Sequence, residues 1–519
     1  MGQDRGPAPA RVSRRGFVRG MAGGAAGLVL LGAGPLPGGD PPLPPNLPDG
    51  LFSLGVASGD PVPDGVVLWT RLAPDPLNGG GMPAVDVPVR WQVAHEDGFR
   101  SVVAEGTAVA SAALAHSVHV DVRGLRPGAW YHYRFIVGDQ ASPVARTRTT
   151  PRPTSRAGLR FLVASCQNWK DGFWSAWAHA AAEDPDLVVH LGDYIYEGGQ
   201  GGAGIVRDHN SPEVTTLDAY RNRWGLYKSD PALQAAHAVC PWVVTWDDHE
   251  VENNYAGLVP QVEAEAPGFP ARRAAAYQAW WEHQPVRLGR PTGPDLRIHR
   301  TIDWGALARF HVLDTRQYRS NQGCGTEDLG EDCPDRTDPT TTMLGPEQEA
   351  WLGQSLASSP ATWDVLANQV VMTAMPLAET FFNHDQWDGY SAARERLFAQ
   401  LRAAQANAVV VTGDIHAAGV ADLIGDDLSG APVGTELVGS SISSRFDPAT
   451  ADIAELLIAG LEHVDYVNVR QRGYLRCDAN PATLTAAFRL VDTVATPTSS
   501  ITTASTWAIR AGTPGAQLA

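Results

Sequence analysis

Lysine is almost missing from this 519-residue chain: Lys170 and Lys228 stand alone among 40 basic residues, and the rest are arginines. Acidic residues number 57, which sets the formal charge at −17. That balance argues against nucleic acid or an anionic membrane as a general partner, because either would favour a basic face. An anionic substrate would have to be met by local arginines and bound cations. Wholesale disorder is excluded, since 44% of residues are hydrophobic and only 19% charged. Internal repeats and low-complexity tracts are absent. So is His-Glu-x-x-His, the helical zinc signature of many peptidases, which counts against a peptidase or amidase.

Cysteine is scarce and odd in number: Cys166, Cys240, Cys324, Cys333 and Cys477. At least one therefore makes no intrachain pair. Cys324 and Cys333 flank an acidic segment that reads as a surface loop, where a disulfide suits an exported protein. Cys240 and Cys477 read as small buried hydrophobes.

Beyond the N-terminus no stretch is long and apolar enough to span a bilayer. At the N-terminus, Ser13-Arg14-Arg15-Gly16-Phe17 precedes a Gly/Ala-rich apolar run, Met21 to Leu36, and then Pro-rich sequence. This is the layout of a twin-arginine export signal. A membrane anchor wants about 20 strongly apolar residues, and glycine weakens this run. Residues 1–45 are thus expected to be signal peptide and linker, with the twin-arginine translocation machinery as partner. The mature chain is expected to have no stable membrane span and to be secreted, cell-wall-associated or periplasmic. Cleavage and retention of the leader are both compatible with the pattern, and no signal for an oligomeric state is legible.

From residue 50 to 151 the signals are short alternating segments separated by turns: Val66 to Thr70, Val87 to Val93 and Ser117 to Val120. A Pro127-Gly128 turn then leads into the aromatic, alternating run Trp130 to Phe135. This predicts an all-β sandwich of fibronectin or immunoglobulin type, with nothing catalytic in it. Over residues 158–510 the pattern changes. Apolar-dominated runs, Leu159 to Ala164, Leu187 to Leu191, Trp242 to Trp246, Ala308 to Leu313 and Ala408 to Thr412, alternate with helical stretches such as Ala271 to Gln284 and Arg394 to Ala404. Strands apolar throughout are buried on both faces, so an α/β layered domain of two sheets flanked by helices is expected. Gly473 to Arg476, Leu484 to Val491 and Ser505 to Ile509 read as further strands, and the Gly/Pro-containing C-terminal tail as frayed.

Buried strands commonly present functional groups just past their carboxyl ends. Four exits here do so: Ser165-Cys166-Gln167-Asn168, Gly192-Asp193-Tyr194-Ile195-Tyr196-Glu197, Asp247-Asp248-His249-Glu250 with Glu252-Asn253-Asn254, and Gly413-Asp414-Ile415-His416. Together they bring one thiol, several carboxylates, a phenol and two imidazoles to one sheet edge, the donor set of a binuclear metal site. Adjacent carboxylates such as Asp247 and Asp248 repel unless something neutralises them.

The order of these motifs resembles the calcineurin-like metallophosphoesterases, and the Gly-Asp-x-x-Tyr version resembles purple acid phosphatases. The Ser-Cys-Gln, Gly-Asp-Tyr-Ile-Tyr, Trp-Asp-Asp-His-Glu-x-x-Asn-Asn and Thr-Gly-Asp-x-His elements resemble most specifically the PhoD family of alkaline phosphatases and phosphodiesterases. Phe52 to Pro61, Leu313 to Arg319 and Trp387 to Tyr390 extend the likeness from about residue 51 to beyond 440. The resemblance implies that Cys166, Asp193 and Tyr196 bind a ferric ion, with His416 completing its shell. It implies a second, calcium-binding site of Asp248, Asn254, Asn368 and Asp414, bridged by Asp193, which suits the oxygen preference of Ca²⁺. Zn²⁺, Mn²⁺ and Co²⁺ remain open. His249 is the candidate general acid, and Arg316 or Arg394 the candidate grip on a phosphate oxygen. The expected activity is hydrolysis of phosphate mono- and diesters by metal-activated hydroxide. Phospholipase D-like or teichoic-acid diester cleavage is the alternative, and a non-catalytic surface-binding protein the distant one.

Overall fold

In a computed structural model the described residues are 42–325, 329–376 and 381–519. The export signal lies outside them. Strands that are mostly apolar on both faces are most stable between two layers, and this shapes the architecture. Leu159–Ala164, Leu187–His190 and Trp242–Val244 run parallel at the centre of a ten-stranded sheet. Ala308–Val312, Trp363–Ala367, Ala408–Thr412 and Gly434–Val438 run parallel within a seven-stranded one.

The two sheets meet face to face. Phe161, Val163, Val189 and Val243 of the first pack with Phe310, Val365, Val409 and Val411 of the second. The outer face of the first is covered by helices Ser175–Ala182, Leu217–Lys228, Pro231–His237 and Phe269–His283 through a cluster containing Trp174, Trp177, Trp224, Trp242 and Trp280. Helices Gly345–Ala357 and Ser391–Ala404 cover the second through Leu352, Leu356, Leu397 and Phe398. A four-layer α/β/β/α body results, as the alternation of apolar runs and helical stretches requires.

The N-terminal strands divide between two sheets. Val56–Val62, Gly65–Arg71 and Ser117–Arg123 extend the ten-stranded sheet, Gly59 pairing with Trp242. Val87–Ala94, Val102–Ala110, Trp130–Val137 and two short strands form a separate sheet. The two sheets share a core of Val66, Leu68, Val120, Val89, Tyr133 and Phe135. All described residues fall within one compact unit.

Two details refine the sequence reading. Cys324 and Cys333 form a disulfide, while Cys166, Cys240 and Cys477 are free and buried. The C-terminal tail is not frayed: Thr513–Leu518 is a strand paired antiparallel with Ile501–Arg510. A turn at Gly512, with φ of 75°, folds it back onto a strand that is already anchored. Among the described residues no helix is long and apolar enough to cross a membrane.

Candidate metal centre

The four strand exits converge at one edge, and their backbone is unusual there. Cys166, Asp193, Asn254, Asp414 and His416 all have positive φ, between 53° and 65°. For L-residues this left-handed conformation costs roughly 1–2 kcal/mol each, and its repetition at five candidate ligands marks a site where backbone is bent to aim side chains. The glycines preceding two of them have a steric cause. A Cβ on Gly192 would lie 2.4 Å from Asp247 N, and one on Gly413 2.3 Å from Ser165 Oγ. Gly-Asp is therefore the pairing that lets neighbouring loops close on one another.

Glu250 locks two exits together. Its buried carboxylate accepts the backbone N–H of Asp193 (3.0 Å), Tyr194 (2.7 Å) and Asp247 (2.8 Å). Asp193 then stands at the centre of three groupings whose candidate ligand atoms lie within 4.8 Å of one another: with Cys166 and His416, with Asp247, Asp248 and Asp414, and with Asp248 and His249. Tyr196 joins the first, donating its hydroxyl to Asp193 Oδ2 at 2.8 Å and lying 3.2 Å from His416 Nε2. His416 Nδ1 is 3.0 Å from the Arg445 carbonyl, so Nδ1 carries the proton and Nε2 is left with its lone pair toward the site. Asn254 contributes its backbone N–H to Asp248 Oδ2 at 2.7 Å.

The electrostatics fit a cation. Burial pushes Asp193 well above the usual carboxylate range, and Asp248, Asp247 and Glu250 add to this against the pull of His249. Burial likewise raises Cys166 and Tyr196, each reinforced by Asp193, and lifts Asp414 to about 7. Burial would raise Asp248 too, but Arg316 and His249 hold it low. His416 is pushed down to about 4 by burial, so it is neutral and can act as a donor. Asp193 Oδ1 is buried with no hydrogen-bond partner. An orphaned carboxylate oxygen amid other carboxylates, a thiol and a phenol is what a metal ion would satisfy, and the residues present fit one.

Three expectations change in the structure. Arg316 is completely buried, and its guanidinium is shared among Asp247, Asp385 (2.8 Å) and Asp414 (3.2 Å). In this arrangement it neutralises the carboxylates instead of standing free for a phosphate oxygen. Arg394 is equally buried, held by Asp388 (2.7 Å) and Asp426. Asn368 spends both ends of its amide in the packed interior, accepting from Trp387 Nε1 at 3.3 Å and donating to the Val370 carbonyl.

The sequence reading missed four contributors. Glu197 Oε2 accepts from His249 Nδ1 at 2.7 Å, while Glu197 Oε1 takes the Asn253 N–H at 3.0 Å. Burial alone would lower His249, but Glu197, Asp248 and Asp193 raise it well above its ordinary value, and its ring lies 4.1 Å from that of Tyr196. Ser444 donates to the Tyr196 hydroxyl at 2.7 Å. Asp385 braces Arg316, and Gln386 donates to Asp414 Oδ2 at 2.6 Å. Glu197 had a signal in its place directly after Tyr196, and Asp385 and Gln386 in theirs just before the Trp387 to Tyr390 element, while Ser444 comes from a segment without a motif of its own.

The chain is similar to known proteins along most of its length. Residues 161–488 match the model of the PhoD-like phosphatase family, and residues 42–151 that of the PhoD-like phosphatase N-terminal domain. Alkaline phosphatase D of Bacillus subtilis is 46% identical over 508 residues, covering 94% of this chain and 86% of its own. A solved PhoD structure superposes with a TM-score of 0.88 at 44% identity, covering 92% of this chain and 93% of that one. A purple acid phosphatase from yellow lupin seeds shares the fold, with a TM-score of 0.53 at 13% identity over 84% of this chain and 71% of its own. The chain belongs to the PhoD-like phosphatase family.

Proposed function

We propose that this protein is an exported, metal-dependent alkaline phosphatase and phosphodiesterase. The observation that carries the reading is Asp193, one carboxylate common to a thiol–imidazole group and to a carboxylate group, with an oxygen left unpartnered between them. Cys166, Asp193, Tyr196 and His416 would hold a ferric ion, since thiolate and phenolate are strong anionic donors. Asp193, Asp248, Asp414 and Asn254 would hold calcium, with Asp247 beside them. Metals there would polarise the phosphoryl group, neutralise developing charge and lower the pKa of water.

The chain's own residues do the rest. Glu197 fixes the His249 tautomer so that Nδ1 carries a proton toward the carboxylate and Nε2 is presented to the site. His249 thereby offers a proton to the departing ester oxygen and holds it to unusually high pH. Tyr196 stacks beneath the imidazole and limits its rotation. Arg316 keeps Asp247 and Asp414 close together when repulsion would separate them. We read residues 50–151 as an immunoglobulin-like sandwich, one of whose sheets continues into that of the catalytic body of residues 158–510, and residues 1–45 as the twin-arginine leader.

The test is hydrolysis of p-nitrophenyl phosphate beside bis-p-nitrophenyl phosphate at alkaline pH, after calcium chelation and again after calcium is restored. Turnover that disappears and returns supports the proposal, and the ratio of the two rates ranks monoesters against diesters. Turnover indifferent to chelation would sink the calcium assignment. No turnover on either ester by folded, metal-loaded protein would sink the activity.

A further inference from the structure

With Arg316 and Arg394 spent on buried carboxylates, other cations must meet the outer parts of an anionic substrate. Two arginines near the site are also committed. Arg472 is buried against the carbonyls of His416 and Val469. Arg207 is held by Asp230 at 2.9 Å and lies 3.7 Å over the Trp169 ring. Lys170 and Arg445 differ: Lys170 has no carboxylate partner among the described residues, and the Arg445 side chain, though paired with Asp171, is 37% exposed against 11% for Arg207.

Their position is set by the metal corner. Asn168, two residues before Lys170, donates its N–H to Ser444 Oγ at 3.0 Å, the hydroxyl that bonds Tyr196. Arg445 directly follows Ser444, and its carbonyl is the group that fixes the His416 tautomer. Above them runs the segment Gly198 to Gly204, Gly-Gly-Gln-Gly-Gly-Ala-Gly. Having almost no side chains, it brings backbone against both cations. Lys170 Nζ donates to the Gly199 carbonyl at 2.9 Å, and a Cβ on Gly204 would lie 2.9 Å from Arg445 Nη1.

The nearby anions are already engaged. Asp171 takes Arg445 Nη2 at 3.0 Å and Nε at 3.2 Å through Oδ1, and the Arg445 N–H at 3.0 Å through Oδ2. That grip orients the guanidinium and turns Nη1 toward the glycine segment. Asp208 accepts the Gly201 N–H at 2.8 Å. Among the described residues Lys170 has no ion-pair partner, and an ammonium bonded to one carbonyl keeps further donors free. In a chain of net charge −17, two cations on segments that directly adjoin the Tyr196 and His416 corner can make charge-assisted hydrogen bonds to an anionic ligand.

We propose that Lys170 and Arg445, under the Gly198 to Gly204 segment, form a subsite for a second phosphoryl group carried on the non-reacting arm of the ester. The inference rests on the phosphoesterase reading and deepens it toward substrates with two or more phosphates.

The test is calorimetric binding to metal-loaded, full-length protein of propane-1,3-bisphosphonate and propylphosphonate, whose C–P bonds resist hydrolysis. The bisphosphonate is expected to bind about tenfold more tightly or better. The preference should collapse toward unity in K170M and in R445M, and persist in part in R445K, which keeps the charge. Equal affinities in the parent protein overturn the subsite. So does weakening of both ligands by the same factor in the variants, which is the signature of loop scaffolding. Turnover of bis-p-nitrophenyl phosphate by the same preparation reports separately on the phosphoesterase reading, so loss of the preference with turnover intact sinks the subsite alone.

Discussion

The two halves of the candidate metal centre are stabilised by opposite means. On one side, Tyr196 hydrogen-bonds with Asp193, Ser444 and His416, and the Cys166 thiol with Ser165 Oγ; among the described residues no arginine or lysine bonds the donor atoms of these three side chains. On the other, Asp247, Asp248 and Asp414 are acidic groups crowded around the buried guanidinium of Arg316. The first half needs an incoming cation before its thiol and phenol can lose their protons. The second is already neutralised in part, so it can keep its shape while a cation comes and goes. That difference would suit a tightly held metal beside an exchangeable one, and among the described residues Asp193 is the one candidate ligand common to both halves.

The comparison can be broken at several points. Asp193→Asn should have the largest effect, since both halves lose their shared ligand. Activity is expected to fall on the order of 10³-fold, and metal analysis of the purified variant should show both metals depleted. Retention of either metal in full would show that the halves are independent.

Arg316→Met should discriminate between them. Leaving buried carboxylates without their cation costs roughly 3–5 kcal/mol. Thermal unfolding should show this loss largely recovered by added calcium, while the metal in the Cys166 half is retained. A loss that calcium does not reduce would mean Arg316 serves packing alone.

Glu197→Gln tests the proton donor that faces both halves. Its removal takes away the foremost interaction raising His249. The imidazolium then persists to lower pH only, and the alkaline limb of the rate profile should move down in pH. A fall in kcat of about 10- to 100-fold is expected, with KM changing less. An unshifted limb would exclude His249 as the titrating acid.

The smallest effect on the site is expected from Lys228, which lies beneath Tyr194. Its ammonium sits 4.3 Å from the Trp69 ring centroid and 5.2 Å from that of Tyr194, and burial depresses it to about 7. The folded state therefore releases a proton that the unfolded chain keeps until its ordinary value near 10.5. Stability should rise with pH between about 7 and 10.5, and be lost as pH falls back through that window. Lys228→Met should flatten this rise, by a few kcal/mol, without altering the activity ratio between esters. Parallel stability curves would mean that Lys228 is charged in the fold.

Much of this protein is legible in local sequence. Leu159–Ala164 and Ala408–Thr412 have the boundaries that their largely apolar runs predict, because a strand covered on both faces has few polar positions. The motif residues Cys166, Asp193, Tyr196, Asp248, Asp414 and His416 do converge, because each follows the carboxyl end of a central strand. The Arg316 role was not legible. An arginine destined for a phosphate and one destined for buried carboxylates look alike until the surrounding chains are placed. Nor was Thr513–Leu518, whose Gly and Pro argue for a loop and whose pairing with Ile501–Arg510 outweighs them.

Periodicity and motif order therefore determined the layered class, the strand exits and the identity of the candidate ligands. These depend on interactions between residues close in the chain, or on backbone preferences that each segment carries alone. Tertiary structure alone decided which groups are partnered. The Glu197–His249 pair spans 52 residues and Arg316–Asp414 spans 98. Such contacts follow from how whole strands and loops stack, and burial then turns each of them from a weak surface attraction into a strong constraint.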